Sequence, residues 1–595
     1  MGVQDLKVPT LIARAKSAAR AGDVATARAL YQNVLSRFPA NRRARDGLAQ
    51  LAMRGDPVQT LLTLWTDGKV EEALALAKTL DISHPTVRDI RAAAHRALGQ
   101  HEIAIRIYDK ALKTEPKNPN IWFNSGSARL ENHHLGEAER YLAKAVSLQG
   151  DPAHVLALAQ CKLDQGYHAD AARLCVDLLA TDGLTAQLRA RASNIHGTCL
   201  LNLGQAEAAI RAYETASEND PNNPECRHNL GIAQITLGAP DAAKVTFETA
   251  LRTAPARAEI HRSLAAVTQY SADHPHLARM EALVEQAKSP LTESEFRFAL
   301  FKAYDDFAAY EDASTHLVQA NATRRTALRY DPEKDAGLYR TLIDCTPPEL
   351  TGTHSGPRPV FVVGMPRSGT TLTEQILAGA PDTVPAGELP LVGHAAARLL
   401  QDAQGSPSFT SAQLTTFRDA VRVGLAHRAD SGDTIIDKMP LNFRWARFIL
   451  SALPEARILW LTRPPEQTAF SIFKHCFAGS GNRFAYGLDD IAAMMRFERD
   501  ICARVQQKWP DRVHRVSLEE LRANPEPVIR DMLEFCDLEW SETCLSPQRN
   551  NRAVLTASAQ QVRQPIQPPS TDPWTHYECH LPSLKQALKA QNLLI

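Results

Sequence analysis

The feature that most constrains the fold is a repeat of small residues within the first 320 positions. Ala104, Ala138 and Ala172 are 34 residues apart, and so are Ala209 and Ala243. A large side chain follows most of these alanines after four residues, and prolines close three of the units. Small residues at a fixed spacing let paired helices approach closely, and proline ends a helix. The pattern predicts stacked helical hairpins.

A 34-residue period of small, aromatic and proline positions resembles the tetratricopeptide repeat (TPR). The resemblance implies an all-α superhelix of seven or eight hairpins, some degenerate, over residues 1–325. Weaker copies carry Ala27, Ala73 and Ala313. The 46-residue step from Ala27 to Ala73 predicts an inserted helix or a degenerate unit. On the concave face of such an array we expect a peptide or protein acceptor, or an adaptor, to bind.

The sequence pattern changes after the repeats. Residues 326–357 are predicted to form a linker and helical connection, and residues 358–595 alternate short apolar runs with helical stretches. This alternation predicts an α/β domain with a mostly parallel sheet. Four runs are predicted to be buried strands: residues 360–364, 433–438, 456–463 and 511–517.

Charge and cysteine usage exclude several classes of protein. Lys+Arg and Asp+Glu both number 67, which excludes a strong overall field for nucleic acid or an anionic membrane. The sequence contains no run of about 18 apolar residues, so we expect no membrane span. The ten cysteines include no CxxC pair, which favours reduced thiols in a cytoplasm over a disulfide framework or a zinc site.

The turn after the first predicted strand reads GMPRSGTT. Parallel sheets bind ligands beyond the carboxyl ends of their strands, and a glycine-containing loop leading into a helix can cradle a phosphate. The loop is similar to the phosphate loop of nucleoside triphosphatases, but Thr370 stands where their lysine belongs. This disfavours a nucleoside triphosphate and favours a nucleotide with a single anionic group at its 5′ end.

The stretch VVGMPRSGTTLTEQILAGAPDTVPAGE resembles the sulfotransferase superfamily, which uses 3′-phosphoadenosine 5′-phosphosulfate (PAPS) as donor. It is most similar to the protein-tyrosine sulfotransferases and to bacterial TPR-linked sulfotransferases, over roughly residues 358–580. The resemblance implies a P-loop-like sulfotransferase domain in a bacterial-type cytoplasmic enzyme. It gives Arg367 a catalytic as well as a binding role. The residues that it implies for the 5′-phosphosulfate are Arg367, Ser368, Gly369, Thr370 and Thr371.

Further positions match the same family. Arg463 and Ser471 are eight residues apart, as is the pair that binds the 3′-phosphate in the family. Glu388 matches the general base of the tyrosylprotein branch and Lys438 its catalytic lysine. Ser558 resembles a late serine that contacts the donor. These matches imply direct transfer of the sulfuryl group from PAPS to an acceptor hydroxyl, with protein tyrosine as one acceptor and no metal required.

Two positions depart from the family pattern. Ser517 replaces a tyrosine that helps to hold the nucleotide, and Pro573 replaces a lysine usual in the tyrosylprotein branch. Donor affinity and acceptor preference therefore stay open, as do a homodimer and a carbohydrate or small-molecule acceptor. Two other hypotheses remain: a TPR scaffold with a catalytically silent nucleotide-binding domain, and a P-loop kinase, which Thr370 opposes.

Overall fold

The computed structural model describes residues 8–21, 23–38, 41–52, 57–352, 356–403, 408–428, 433–477, 481–550, 561–568 and 572–594. It divides into two compact units, Met1–Gln165 and Gly166–Ile595. In the described residues, no helix is long and apolar enough to cross a membrane.

The described part of the first unit is a succession of α-helices. Gly126 shows why small residues recur in it: a Cβ atom there would lie 2.8 Å from the Leu142 side chain of the following helix. An additional helix, Arg42–Ala52, lies between the hairpin that carries Ala27 and the hairpin that carries Ala73. This inserted helix accounts for the long step between the two alanines. The helices are α1 (Val8–Arg20), α2 (Val24–Arg37), α3 (Arg42–Ala52), α4 (Pro57–Thr66), α5 (Val70–Ala77), α6 (Pro85–Ala97), α7 (His101–Thr114), α8 (Pro119–Glu131), α9 (Leu135–Leu148) and α10 (Pro152–Asp164).

The second unit begins with more helices of the same kind, which confirms the helical array. The position predicted at Ala172 was wrong: Ala171 is the fully buried alanine. It lies three residues into its helix, as Ala138 does in α9, because that helix starts one residue earlier than a strict 34-residue period requires. These helices are α11 (His168–Leu179), α12 (Ala186–Asn202), α13 (Ala206–Asn219), α14 (Pro224–Thr236), α15 (Pro240–Thr253), α16 (Ala258–Ala266), α17 (Pro275–Glu285), α18 (Pro290–Asp306), α19 (Tyr310–Leu328) and α20 (Pro332–Asp344).

A five-stranded, all-parallel sheet follows. The four predicted strands are confirmed, and the strand 383–387 was missed. It is a half-buried edge strand containing Pro385, and proline is tolerated in sheets mainly at edges. The strands are β1 (Arg358–Gly364), β2 (Thr383–Gly387), β3 (Thr434–Asp437), β4 (Arg457–Thr462) and β5 (Val513–Ser517). Their order in the sheet is β2-β3-β1-β4-β5.

Helices cover both faces of the sheet. Alternate residues of β1 point to opposite sides, so Phe361 and Val360 belong to different apolar cores. The core that contains Phe361 also contains Phe301 of α18 and Leu317 of α19. The last repeat helices therefore pack against the core of the sheet domain. The domain boundaries at residues 325 and 358 remain a prediction. The covering helices are α21 (Thr370–Leu377), α22 (Leu391–Asp402), α23 (Ser411–Ala426), α24 (Ala446–Ala452), α25 (Pro465–Phe473), α26 (Leu488–Lys508), α27 (Leu518–Ala523), α28 (Pro525–Cys536) and α29 (Pro582–Ala590).

Candidate active site

The loop from β1 to α21 is tightly packed. Gly364 has φ +143°, and a Cβ atom there would lie 2.5 Å from the carbonyl oxygen of Leu461. Gly369 has φ +102°, and its Cβ atom would lie 2.6 Å from the Leu518 side chain. Arg367, with φ +72°, adopts the left-handed conformation without being a glycine, which is a strained state found often at functional sites.

The loop ends at an N-terminus suited to an anion. Gly369 precedes α21 and offers no side-chain oxygen to the first N–H groups of that helix. Thr370 and Thr371, the first two residues of α21, are buried. The hydroxyl of Ser368 is buried, and no hydrogen-bond partner for it is found among the described residues. Helix N-termini favour phosphate and sulfate groups, and a buried hydroxyl without a partner is costly unless a ligand satisfies it.

Two arginines from neighbouring strand ends meet beside this loop. Arg367 Nε donates to Ser471 Oγ at 3.4 Å, and Arg463 Nη1 donates to the backbone oxygen of Arg367 at 3.3 Å. Burial, helped by the positive charge of Arg463, lowers the pKa of Arg367 to about 10, so this guanidinium stays charged at neutral pH. Three residues predicted from two separate motifs, Arg367 from one and Arg463 with Ser471 from the other, thus lie together.

Arg463 has two further partners. Its Nε donates to Gln467 Oε1 at 3.1 Å, and its Nη2 donates to Asp572 Oδ2 at 2.9 Å. Gln467 in turn donates to Glu519 Oε1 at 3.2 Å. The ion pair with Asp572 was not predicted, because 109 residues separate its partners.

The other predicted pair lies at the ends of β2 and β3. Lys438 Nζ donates to Glu388 Oε1 at 2.6 Å. The lysine side chain is 1% exposed and the glutamate side chain 44% exposed. Because β2 and β3 are neighbours in the sheet, the residues after them emerge side by side. The lysine end of the pair is therefore fixed inside the protein, and the glutamate end is open to solvent.

A second layer of buried acids supports this pair, and the sequence did not predict it. Glu374 Oε1 accepts the backbone N–H of Gly387 at 2.8 Å, and the carbonyl oxygen of Gly387 accepts the N–H of Lys438 at 2.9 Å. Asp437 accepts a bond from Asn442 at 3.2 Å. Burial, helped by the charge of Glu374, raises the pKa of Asp437 to about 8. Nothing in the sequence distinguishes Glu374 and Asp437 from the many other acidic residues of the chain, so no motif predicted them.

Lys474 and His475, which follow Ser471 in the chain, also lie near Arg367 and were not predicted as site residues. Burial lowers the pKa of Lys474, and the charges of Arg367 and Arg463 lower it further. Burial, with Arg367 nearby, lowers the pKa of His475 to about 3, so this histidine is uncharged at neutral pH. The sequence offers one hint of this placement, since Lys474 and His475 follow Ser471 by three and four residues.

The remaining predicted positions are quickly placed. Ser517 caps α27, and its Oγ accepts the N–H of Glu520 at 3.3 Å. Ser558 lies outside the described residues. Within the described part of the chain, no group of three or more His, Cys, Asp or Glu side chains is arranged to hold a metal ion.

Comparison with protein-family models identifies both parts of the chain. Residues 359–542 match the model described as "Sulfotransferase family". Tetratricopeptide-repeat models match residues 12–86 and 156–224, 85–128 and 200–267. The chain therefore contains tetratricopeptide repeats and, towards its C-terminus, a sulfotransferase-family domain.

Curated relatives agree with this division. An uncharacterized protein of Aquifex aeolicus is 25% identical over 96% of this chain and 68% of its own length. A protein-tyrosine sulfotransferase of Drosophila melanogaster is 22% identical over 36% of this chain and 46% of its own length. Protein-tyrosine sulfotransferase A of Caenorhabditis elegans is 26% identical over 31% of this chain and 51% of its own length. The chain thus spans about half the length of these two sulfotransferases.

Proposed function

We propose that this protein transfers the sulfuryl group of PAPS to an acceptor hydroxyl. The observation that carries the proposal is the buried hydroxyl of Ser368, without a partner among the described residues, at a helix N-terminus beside Arg367. A bound anion would accept a hydrogen bond from the Ser368 hydroxyl and would lie against the positive charge of Arg367. The 5′-phosphosulfate of the donor would bind here, on Arg367, Ser368, Gly369, Thr370 and Thr371.

Arg463 and Ser471 would receive the 3′-phosphate of the same nucleotide. Arg463 follows β4 and Arg367 follows β1, which is its neighbour in the sheet. A guanidinium offers several parallel N–H donors and suits a phosphate. A second anionic group of the ligand would explain why two arginines converge where one phosphate needs only one. Ser558 remains a proposed donor contact.

The reaction would be a direct displacement at sulfur. Glu388 would take the proton from the acceptor hydroxyl as its oxygen attacks, which is general-base catalysis. The bond between sulfur and the phosphate oxygen would break and leave 3′-phosphoadenosine 5′-phosphate (PAP). Lys438, and Arg367 beside it on the neighbouring strand end, would stabilise the negative charge on the sulfuryl oxygens and the leaving phosphate.

We propose a peptide or protein as acceptor, with tyrosine as the first candidate. Two observations support this proposal: the two relatives named above are protein-tyrosine sulfotransferases, and the chain carries a repeat array of the kind that binds extended partners. We also propose a cytoplasmic location. All ten cysteines are free, and nine of them are buried, as expected in a reducing compartment.

Nucleotide-dependent stabilisation tests the donor assignment. PAP should raise the melting temperature of the full chain, whereas Mg-ATP should not, because only a ligand that binds the native state stabilises it. Ser368→Ala should keep the melting temperature of the free protein and lose most of the PAP response. Stabilisation by Mg-ATP alone would favour a kinase, and no response to either nucleotide would favour a silent scaffold.

Transfer itself is then tested with labelled PAPS. The wild-type chain, incubated with protein extract, should label one or more proteins at tyrosine, as read by mass spectrometry. The matched Glu388→Gln variant should bind PAP and label none. Label on carbohydrate or on small molecules would refute the protein acceptor while leaving the donor assignment intact.

A further inference from the structure

Asp572 occupies the guanidinium that the proposed function assigns to the 3′-phosphate. The Arg463–Asp572 pair has a nitrogen–oxygen distance of 2.9 Å, and its side chains are only 16% and 15% exposed. Water screens such a pair much less than a surface ion pair. Two other nitrogens of Arg463 also donate hydrogen bonds, Nε to Gln467 and Nη1 to the backbone oxygen of Arg367. A phosphate on the Nη2 side of Arg463 would therefore meet a carboxylate.

The carboxylate is held in this position by a packed segment. Asp572 Oδ1 accepts the backbone N–H of Trp574 at 2.8 Å, which caps the 3₁₀ helix Pro573–His576. Trp574 is buried and packs on Phe470 of α25 at 5.6 Å between ring centroids. Asp572 is thus presented to Arg463 by a turn that packs on α25.

The same segment is tied to the end of the repeat array. The hydroxyl of Tyr577 donates to Asp305 of α18 at 2.5 Å, and the ring of His576 stacks on Tyr310 of α19 at 4.8 Å. These contacts lie within the second compact unit. The turn that carries Asp572 therefore packs on α18, α19 and α25.

We propose that Asp572 is an internal counter-ion of Arg463, which the 3′-phosphate of the donor or product must displace. This inference rests on the proposed function, in which Arg463 receives that phosphate. A carboxylate and a phosphate cannot share one face of the guanidinium without strong repulsion. The free energy needed to break the ion pair therefore offsets part of the binding free energy of the nucleotide. Asp572 thereby lowers the affinity for 3′-phosphorylated nucleotides and speeds the release of PAP, while nucleotides without a 3′-phosphate leave the pair intact.

Titration calorimetry of the full chain with PAP and with AMP, which lacks the 3′-phosphate, tests this inference. Asp572→Asn keeps the shape of the side chain and the helix cap, because asparagine is also a good N-cap residue. It should bind PAP about tenfold more tightly than the wild type, an effect between those of exposed and fully buried ion pairs. Its affinity for AMP should stay the same.

Glu519→Gln is the matched control. It removes one negative charge from the same neighbourhood, but in the described residues Glu519 is linked to Arg463 through the side chain of Gln467. This variant should change PAP affinity much less than Asp572→Asn does. Equal tightening by both variants would show a general charge effect and would overturn the displacement.

Other results also overturn the inference. Weaker PAP binding by Asp572→Asn would show that Asp572 orients Arg463 for the phosphate, and unchanged binding would show that the two do not compete. A melting temperature of the variant equal to that of the wild type guards against a folding effect. If the wild type itself binds no PAP, the proposed function fails together with the inference; if it binds PAP and the variant does not differ, only the inference fails.

Discussion

Replacing Glu374 by alanine is expected to slow sulfate transfer while leaving donor binding intact. Glu374 accepts the N–H of Gly387, at 2.8 Å, and Gly387 immediately precedes the proposed base Glu388. The carbonyl of the same glycine accepts the N–H of Lys438. Gly387 has φ +69°, a left-handed conformation that glycine adopts without strain. The Glu374 bond therefore fixes the direction in which Glu388 leaves the sheet.

The size of the effect follows from this single bond. A hydrogen bond to a charged group contributes about 1.5–3 kcal/mol. If all of that free energy orients Glu388, its loss corresponds to a fall in kcat of about 10- to 150-fold. Glu374 lies in α21, after the proposed donor loop, and is linked to the proposed base Glu388 through the backbone of Gly387. PAP affinity should therefore change by less than about twofold.

The assay compares three chains with labelled PAPS and a small phenol as acceptor. Glu374→Ala should lower kcat with little change in KM, and Glu374→Gln should recover most of the rate, because its amide oxygen can accept the same N–H. Calorimetry with PAP and the melting temperature report donor binding and folding. A kcat within a factor of two of the wild type, or a glutamine variant as slow as the alanine variant, would refute a positioning role.

Four further outcomes are expected. Glu388→Gln should keep PAP binding and lose turnover by about 10²- to 10⁴-fold, and near-normal transfer would end its assignment as base. Arg463→Ala should weaken PAP by on the order of 2–5 kcal/mol and AMP far less; equal losses in calorimetry would contradict a 3′-phosphate site. The pKa of Asp437 is about 8 in the folded chain, above its ordinary value of 3.8, so the native state binds this proton more tightly and stability should fall as pH rises from about 4 to 8. Asp437→Asn should reduce this dependence of the melting temperature on pH, and an equal dependence in the variant and the wild type would contradict the prediction. A fragment 166–595 should fold and bind PAP, whereas one cut within 325–350 should be insoluble because it loses the apolar contacts of Phe301; a soluble, PAP-binding short fragment would contradict this.

Much of the fold could be predicted because its signals are local. The spacing of Ala104 and Ala138 follows from helices that pack on the next helix in the chain. The runs at 360–364 and 456–463 are apolar because both faces of their strands are buried. The edge strand β2 escaped prediction since Pro385 and half burial remove both its period and its apolar character.

In the candidate site, too, residues in local motifs could be predicted, whereas residues that depend on distant partners could not. The loop around Arg367 is contiguous, and the spacing of Arg463 and Ser471 is set within one strand-to-helix turn, so motifs were enough to find them. Glu374 and Asp572 had no such signal. Each is an ordinary acidic residue in the sequence and gains a role only from a partner that another strand end brings to it.

The sequence alone determined the helical period, four of the five strands and the donor-loop motif, because neighbouring residues decide which backbone conformation buries apolar surface. Only the tertiary structure decided which strand ends are adjacent. The order β2-β3-β1-β4-β5 brings Glu388 to Lys438 over 50 residues of chain, and packing of the C-terminal turn on α25 brings Asp572 to Arg463 over 109. Such pairs depend on the free energy of the whole core, which fixes distant segments against one another, and no local pattern encodes that choice.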